Sequence, residues 1–209
     1  MKLERLTLRL LSENCYIYHN SNECIIFDPG SDFEHIKAYI DKHNLKVNSI
    51  LLTHCHFDHI GAVSQLKNHY NTKVMCHQED LMNLNTANRS MEYYGLGSIE
   101  IPEIDKFVID NELIPFQDTV IKVIHTPGHT KGSVCYYMEQ DKYLISGDTL
   151  FLESVGRTDF AGGSHEELMD SIQNKIYTLP NDVTVFPGHG FHTTIEHEKE
   201  NNPFEEGDI

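Results

Sequence analysis

The segment Thr53-His54-Cys55-His56-Phe57-Asp58-His59 places three imidazoles and one carboxylate within six positions, directly after the apolar run Ile50-Leu51-Leu52. Histidine and aspartate are common nitrogen and oxygen ligands of zinc, iron and manganese. A tight turn at the end of a buried strand can aim several such side chains into one cavity. Alternate residues of an extended segment point the same way, so His54, His56 and Asp58 can share a face. His59 then opens the next helix, and Gly61 gives the backbone freedom beside it.

Three later segments repeat the design of an apolar strand that ends in a turn carrying a ligand-type residue. They are Ile124-His125-Thr126-Pro127-Gly128-His129, Leu144-Ile145-Ser146-Gly147-Asp148 and Val185-Phe186-Pro187-Gly188-His189. One histidine after Pro-Gly is an ordinary turn residue. Two such turns, an Asp turn and the HxHxDH cluster together argue for a metal site. Seven donors suffice for two divalent ions. Asp148 can bridge the pair with its two oxygens, and the other six divide as three per ion. That count leaves room for a bridging water, held as hydroxide near neutral pH.

The elements that must carry these turns read as short strands over Leu3–Leu10, Asn14–His19 and Glu23–Phe27, broken at Asp28-Pro29-Gly30. A helix is expected over Asp32–Lys42 from Phe33, Ile36, Tyr39 and Ile40. Ser49–Leu52 is the strand that delivers the ligand cluster, followed by a helix over Ile60–Tyr70 and a strand over Lys73–Cys76. A short helix is expected at Glu79–Asn85. Thr86–Pro102 reads as a polar loop able to overhang a site. Strands resume at Phe107–Ile109, Thr119–His125, Ser133–Met138 and Lys142–Ser146. A helix over His165–Tyr177, capped by Ser164, and a strand over Asp182–Phe186 complete the pattern. The whole chain, 1–209, reads as one domain, with 190–209 as a short C-terminal tail of helix or coil. Strands with interspersed helices suggest an α/β fold of two sheets covered by helices.

The chain has 209 residues, 39% of them hydrophobic, and no apolar run long enough for a membrane span. Its start alternates apolar and polar residues rather than forming a signal peptide, so a cytoplasmic location is expected. Five cysteines, Cys15, Cys24, Cys55, Cys76 and Cys135, are odd in number and lack CxxC spacing. That argues against a disulfide framework and against a thiolate metal site. Acids outnumber bases 32 to 16, giving a formal charge of −16. Such a surface repels phosphate backbones, so nucleic acid is excluded as a partner.

HxHxDH, followed by single His, Asp and His at wide spacing, resembles the metallo-β-lactamase superfamily across nearly the whole chain. The resemblance implies an αββα four-layer sandwich with a dinuclear site at one edge of the two sheets. It implies that His54, His56 and His129 hold the first metal, that Asp58, His59 and His189 hold the second, and that Asp148 bridges them. Zinc is the first choice of metal, with iron or manganese as the others. Together with Gly147-Asp148-Thr149-Leu150-Phe151 and Val155-Gly156-Arg157-Thr158-Asp159-Phe160, these motifs are similar to the short, single-domain glyoxalase II-like branch. That branch implies hydrolysis of a thioester of the S-lactoylglutathione type by attack of the metal-bridging hydroxide. Asp58 would be mainly a ligand that also helps with proton handling. Arg157 falls where the family places a residue that contacts the glutathione part. A salt bridge with Asp159 is its structural alternative.

The expected partner is thus a small anionic thioester; the oligomeric state is left open. Two other activities of similar folds compete. One is a mononuclear iron persulfide dioxygenase using His54, His129 and Asp148. The other is a lactonase or related ester or amide hydrolase. His125 is expected to order its turn, Asp28 to hydrogen-bond to the ligand turn, and Cys55 to point into the scaffold. Phe57 and Phe151 are candidates for pocket walls or, equally, for core packing.

Overall fold

Alternating and continuous apolar runs punctuated by polar turns produce two separate β-sheets in the computed structural model, which describes residues 1–204. The chain divides into two compact units, Met1–Phe107 and Val108–Ile209.

In the first unit, strands β1 (Lys2–Thr7), β2 (Asn14–His19) and β3 (Glu23–Phe27) form an antiparallel meander. Helix α1 (Phe33–Lys42) leads to β4 (Lys46–Leu51), which pairs parallel to β3. Helices α2 (Phe57–Ile60) and α3 (Val63–Tyr70) follow, then β5 (Lys73–His77), parallel to β4. A single 3-10 turn leads into α4 (Leu81–Tyr93), and β6 (Lys106–Val108) completes a six-stranded sheet in sequence order. Every residue of β2 is buried, as is most of β3, so these strands lack a solvent face. Ile17, Ile26, Ile50, Leu66 and Val74 form part of this unit's core, each such side chain contributing roughly 1.5–3 kcal/mol on burial.

Two expectations are corrected in this unit. The helix expected over Ile60–Tyr70 is two helices with a break at Gly61-Ala62. The loop expected over Thr86–Pro102 is helical as far as Tyr93, because Leu84, Ala87 and Met91 sit at i, i+3 and i+7 and are buried.

In the second unit the strands are β7 (Leu113–Phe116), β8 (Thr119–His125), β9 (Val134–Met138), β10 (Tyr143–Gly147), β13 (Thr184–Pro187) and β14 (Thr193–Thr194), in the order β14-β13-β10-β9-β8-β7. Between β10 and β13 lie a small hairpin, β11 (Leu150–Phe151) with β12 (Ser154–Val155), and helix α5 (His165–Ser171). The Ser164 side chain caps α5 as expected, but its last part, Ile172–Ile176, is a π-helical stretch. Leu168, Ile172 and Ile176 belong to this unit's core, with Ile124, Leu144 and Val185.

Past the last ligand candidate the chain is more ordered than a tail. Strand β14 and helix α6 (Ile195–Asn201) bury Thr193, Ile195 and Glu198. The Glu198 carboxylate accepts hydrogen bonds from Thr193 Oγ1 (2.5 Å), the Glu153 backbone N–H (2.9 Å) and Asn202 Nδ2 (2.8 Å). The remainder of the expected tail, 205–209, lies outside the described residues. Among the described residues no helix is long and apolar enough to cross a membrane.

Candidate metal centre

Parallel pairing of β3 with β4 sets Phe27 beside Leu51, so the turns that follow these strands run side by side. Asp28 leaves the first turn and Thr53 the second. The Asp28 carboxylate accepts from the Thr53 N–H (2.7 Å) and from its hydroxyl (2.5 Å). Because the Thr53 hydroxyl gives its proton to Asp28, the 3.1 Å contact with His54 Nδ1 has the ring N–H donating. Nε2 is then the lone-pair nitrogen of His54. His59 Nδ1 lies 3.1 Å from the same Asp28 carboxylate, which likewise makes Nε2 the lone-pair nitrogen. The His54 ring is 4.1 Å from that of His59 and 4.7 Å from that of His56, centroid to centroid. Asp58 Oδ2 is 3.9 Å from His59 Nε2. Four donor-type side chains of HxHxDH thus gather within this unit.

The turn is gripped from a second side. Asp80, fully buried, accepts from the Cys55 backbone N–H and from Asn83 Nδ2. Cys55 is itself fully buried, and its thiol is pushed well up, first by a hydrogen bond with Cys76 and then by burial. It therefore stays neutral and belongs to the scaffold, as expected. Glycine is required beneath the ligands, since a Cβ on Gly30 would lie 1.5 Å from the Asp58 carbonyl oxygen. Glu13, which gave no signal in the sequence, is fully buried with a carboxylate oxygen 4.0 Å from His59 Nδ1. Glu13, Asp28 and Asp58 bury three carboxyl groups in this region, a setting in which a divalent cation would offset carboxylate charge.

In the second unit, parallel pairing of β10 with β13 aligns Gly147 with Pro187, and Gly188 N–H donates to the Gly147 carbonyl (2.8 Å). This register puts Asp148 beside His189. The Pro127-Gly128 turn brings in His129; its Gly128 has φ 139°, and a Cβ there would lie 2.3 Å from the Leu168 backbone. The Thr126 and Thr149 hydroxyls meet at 3.0 Å beneath the turns. His125 holds the His129 turn through Lys131 O (2.8 Å from Nε2), the ordering role expected of it.

His129 Nδ1 lies 2.7 Å from the Arg157 backbone carbonyl and donates to it, so Nε2 is the lone-pair nitrogen. The Nε2 atoms of His129 and His189 stand 3.6 and 3.8 Å from the same oxygen, Asp148 Oδ2. These separations are too long for hydrogen bonds. Two ligands on one tetrahedral ion, each at about 2.1 Å, lie roughly 3.4 Å apart, close to what is observed. The donor set, spacing and tautomers therefore fit a divalent metal.

The Arg157 guanidinium is engaged locally. It makes a two-pronged pair with Asp159 (3.0 and 2.7 Å) and lies 4.5 Å over the Phe160 ring. That pair holds the Asp159 carboxyl below its usual value. The salt-bridge alternative is thus realised. What the sequence did not reveal is that Arg157 orients His129 through its backbone oxygen, a contact that carries no side-chain signature.

The chain matches the metallo-beta-lactamase superfamily over residues 8–189 and belongs to it. Its α/β fold is the metallo-β-lactamase fold, and by class it is a metallohydrolase. Hydroxyacylglutathione hydrolase GloC of Haemophilus influenzae is 32% identical over 212 residues, covering 98% of each chain. The crystal structure of the BLEG-1 B3 metallo-beta-lactamase superposes with a TM-score of 0.93 at 37% identity, covering 99% of this chain and 100% of that one. A structure of TTHA1623 in a di-iron-bound form gives a TM-score of 0.88 at 33% identity, covering 96% and 99%.

Proposed function

We propose that the two donor sets together hold two divalent metal ions and that the chain hydrolyses thioesters of the hydroxyacylglutathione type. In this reading His54, His56 and His129 hold one ion, Asp58, His59 and His189 hold the other, and Asp148 lies between them. The observation that carries the reading is the pair of 3.6 and 3.8 Å separations at Asp148 Oδ2, one to each of two histidines on different turns. The 32% identity with GloC over 98% of both chains supports the substrate class. Zinc suits the nitrogen and oxygen donors, as do iron and manganese. The likeness to a di-iron-bound protein makes iron a metal to test beside zinc.

When bound, such ions supply Lewis acidity toward an acyl oxygen and a nucleophile from water at neutral pH. The chain's own residues do the positioning. Asp28 fixes the His59 ring, and Thr53, itself held by Asp28, fixes His54. The Arg157 carbonyl fixes His129. Asp58 Oδ2, 3.9 Å from His59 Nε2, is a ligand that can also take up a proton. A thiol of ordinary pKa, about 8.5, leaves readily as thiolate, so no dedicated protein acid is needed. The exposed Arg157 guanidinium can exchange Asp159 for a carboxylate of the substrate. All five cysteines are free and buried, which supports a reducing, cytoplasmic location.

The test is metal analysis combined with an S-lactoylglutathione hydrolysis assay on one preparation. Two ions per chain and turnover that is lost on chelation and restored by zinc or iron are expected. A fully loaded protein that does not cleave the thioester overturns the reading. The 37% identity to BLEG-1 favours one second reading, amide hydrolysis of a β-lactam, which the same preparation tests directly. One ion per chain with oxygen uptake on glutathione persulfide would instead establish the dioxygenase.

A further inference from the structure

Two histidines outside the donor set meet at the far end of the first sheet. The donors follow Phe27 and Leu51, at one end of β3 and β4, whereas His19 pairs with Lys2 on one side and with Cys24, near the start of β3, on the other. His19 is only 5% exposed. Its Nδ1–H donates to the Asn20 carbonyl (2.7 Å), and its Nε2 lies 3.0 Å from the Tyr39 hydroxyl. His43, at the end of α1, donates from Nδ1 to the Tyr39 carbonyl (2.8 Å), and its ring lies 4.2 Å from that of Tyr39. The His19 and His43 rings are 6.1 Å apart, centroid to centroid. Three rings and two backbone carbonyls thus fix how both imidazoles sit.

The two histidines border a cleft of about 410 Å³ that Lys2, Asn20 and Leu45 also line. That is room for a small organic molecule. Among the described residues Lys2 Nζ, Asn20 Nδ2 and His43 Nε2 have no hydrogen-bond or ion-pair partner. An ammonium and an amide NH₂ are donors that suit a carboxylate. With its Nδ1–H committed to Tyr39, the neutral His43 ring offers Nε2 as an acceptor, which suits an N–H. Leu45, buried at 7% exposure, adds an apolar stretch of wall. A phosphate is a poorer match. It would set two charges against one ammonium, with the Glu4 carboxyl close by at the Tyr39 hydroxyl (3.5 Å).

We infer that this cleft is a second ligand site, for a small molecule that joins one carboxylate to an N–H group, the chemistry shared by free amino acids and peptide ends. Lys2 and Asn20 take the carboxylate, His43 takes the N–H, and His19 with Tyr39 forms the support behind them. The site needs no metal and is independent of the thioesterase reading.

The test follows the ring Cε1–H signals of His19 and His43 by NMR in the full chain labelled at histidine, loaded with zinc and again after chelation. The probes are glycine, glycylglycine, N-acetylglycine, N-acetylglycinamide, acetate and inorganic phosphate. Saturable shifts at both rings are expected, with a Kd of about 1 mM or tighter, and the same with and without zinc. Tighter binding of glycine than of N-acetylglycine identifies a free amino acid as the ligand, and the reverse a peptide end. N-Acetylglycinamide, which lacks the carboxylate, and acetate, which lacks the N–H, should bind at least about tenfold more weakly. Lys2→Gln and His43→Leu should each weaken the preferred probe by at least about tenfold, the loss of one charge-assisted or well-aligned hydrogen bond, and leave any thioester hydrolysis unchanged.

No saturable shift at either ring overturns the site even if thioesters are cleaved, and saturable binding in a protein that cleaves none keeps the site and rejects only the reaction. Phosphate binding as tightly as the best carboxylate, or full affinity in Lys2→Gln, overturns the ligand class. Binding that disappears on chelation would place the probe at the metal centre and also overturn it.

Discussion

Asp28 Oδ2 accepts hydrogen bonds from both the Thr53 hydroxyl at 2.5 Å and His59 Nδ1 at 3.1 Å, so one buried carboxylate orients two donors of the candidate site. Replacing it by asparagine keeps the size and tolerates the backbone φ of 46°, but removes the charge. Asp28→Asn should weaken metal binding about 10–100-fold and lower folding stability by about 1.5–3 kcal/mol. Competition with a chromophoric chelator and urea unfolding of the metal-free chain measure the two effects separately. Unchanged metal affinity would show that Asp28 serves the fold alone.

His54→Ala and Asp148→Ala each remove a proposed ligand. Both variants should bind less metal than the wild type by elemental analysis. Hydrolysis should fall by at least about a thousandfold, the equivalent of the several kcal/mol a Lewis acid supplies. Normal turnover by either one would remove that residue from the centre.

Two glycines separate space from conformation. Gly30 has the Asp58 carbonyl oxygen 1.5 Å from its would-be Cβ, whereas Gly95 faces open space at φ 69°. Gly30→Ala should cost more than about 3 kcal/mol, the upper end for overpacking. Gly95→Ala should cost only about 1–2 kcal/mol for the left-handed backbone. Denaturant midpoints rank the pair, and equal costs would mean that the Gly30 turn can shift off α2.

The Arg157–Asp159 pair gives a pH signature. Its hydrogen bond from Arg157 lowers the Asp159 carboxyl below its usual 3.8. A carboxyl depressed on folding stabilises above its unfolded value and loses that contribution as pH falls through the folded one. The stability difference between wild type and Asp159→Asn should therefore be flat above about pH 5 and shrink below about pH 4. The pair is exposed, so the difference should be small and screened by salt. Thermal melts across pH 3 to 7 check it. A difference that changed between pH 5 and 7 would point to another titrating partner.

The parts of the chain with strong local signals were legible in the sequence. Asn14–His19, Glu23–Phe27 and Thr119–His125 are strands with the expected bounds, because apolar runs there end in clear turn residues. HxHxDH was legible for the same reason, since its donors are adjacent in the chain. Helix α4 was missed past Asn85 because Leu84, Ala87 and Met91 are its only buried residues among Asn, Thr and Ser, which are weak helix formers. Strand β7 was missed because Pro115 sits within it, tolerated at the edge of the sheet. Around the site, Glu13 and the Arg157 carbonyl were invisible because neither is near a donor in sequence. Only the folded backbone carries them to His59 and His129.

Parallel pairs, β3 with β4 and β10 with β13, end just before all the donors but His129, which follows the antiparallel strand β8. The ladders end before the donors begin, so the frame and the chemistry occupy different stretches of chain. Such a layout is modular. The paired strands set where each loop begins, and the side chains that could do chemistry hang from the loops beyond Leu51, Gly147 and Pro187, outside the rungs that hold the sheets together.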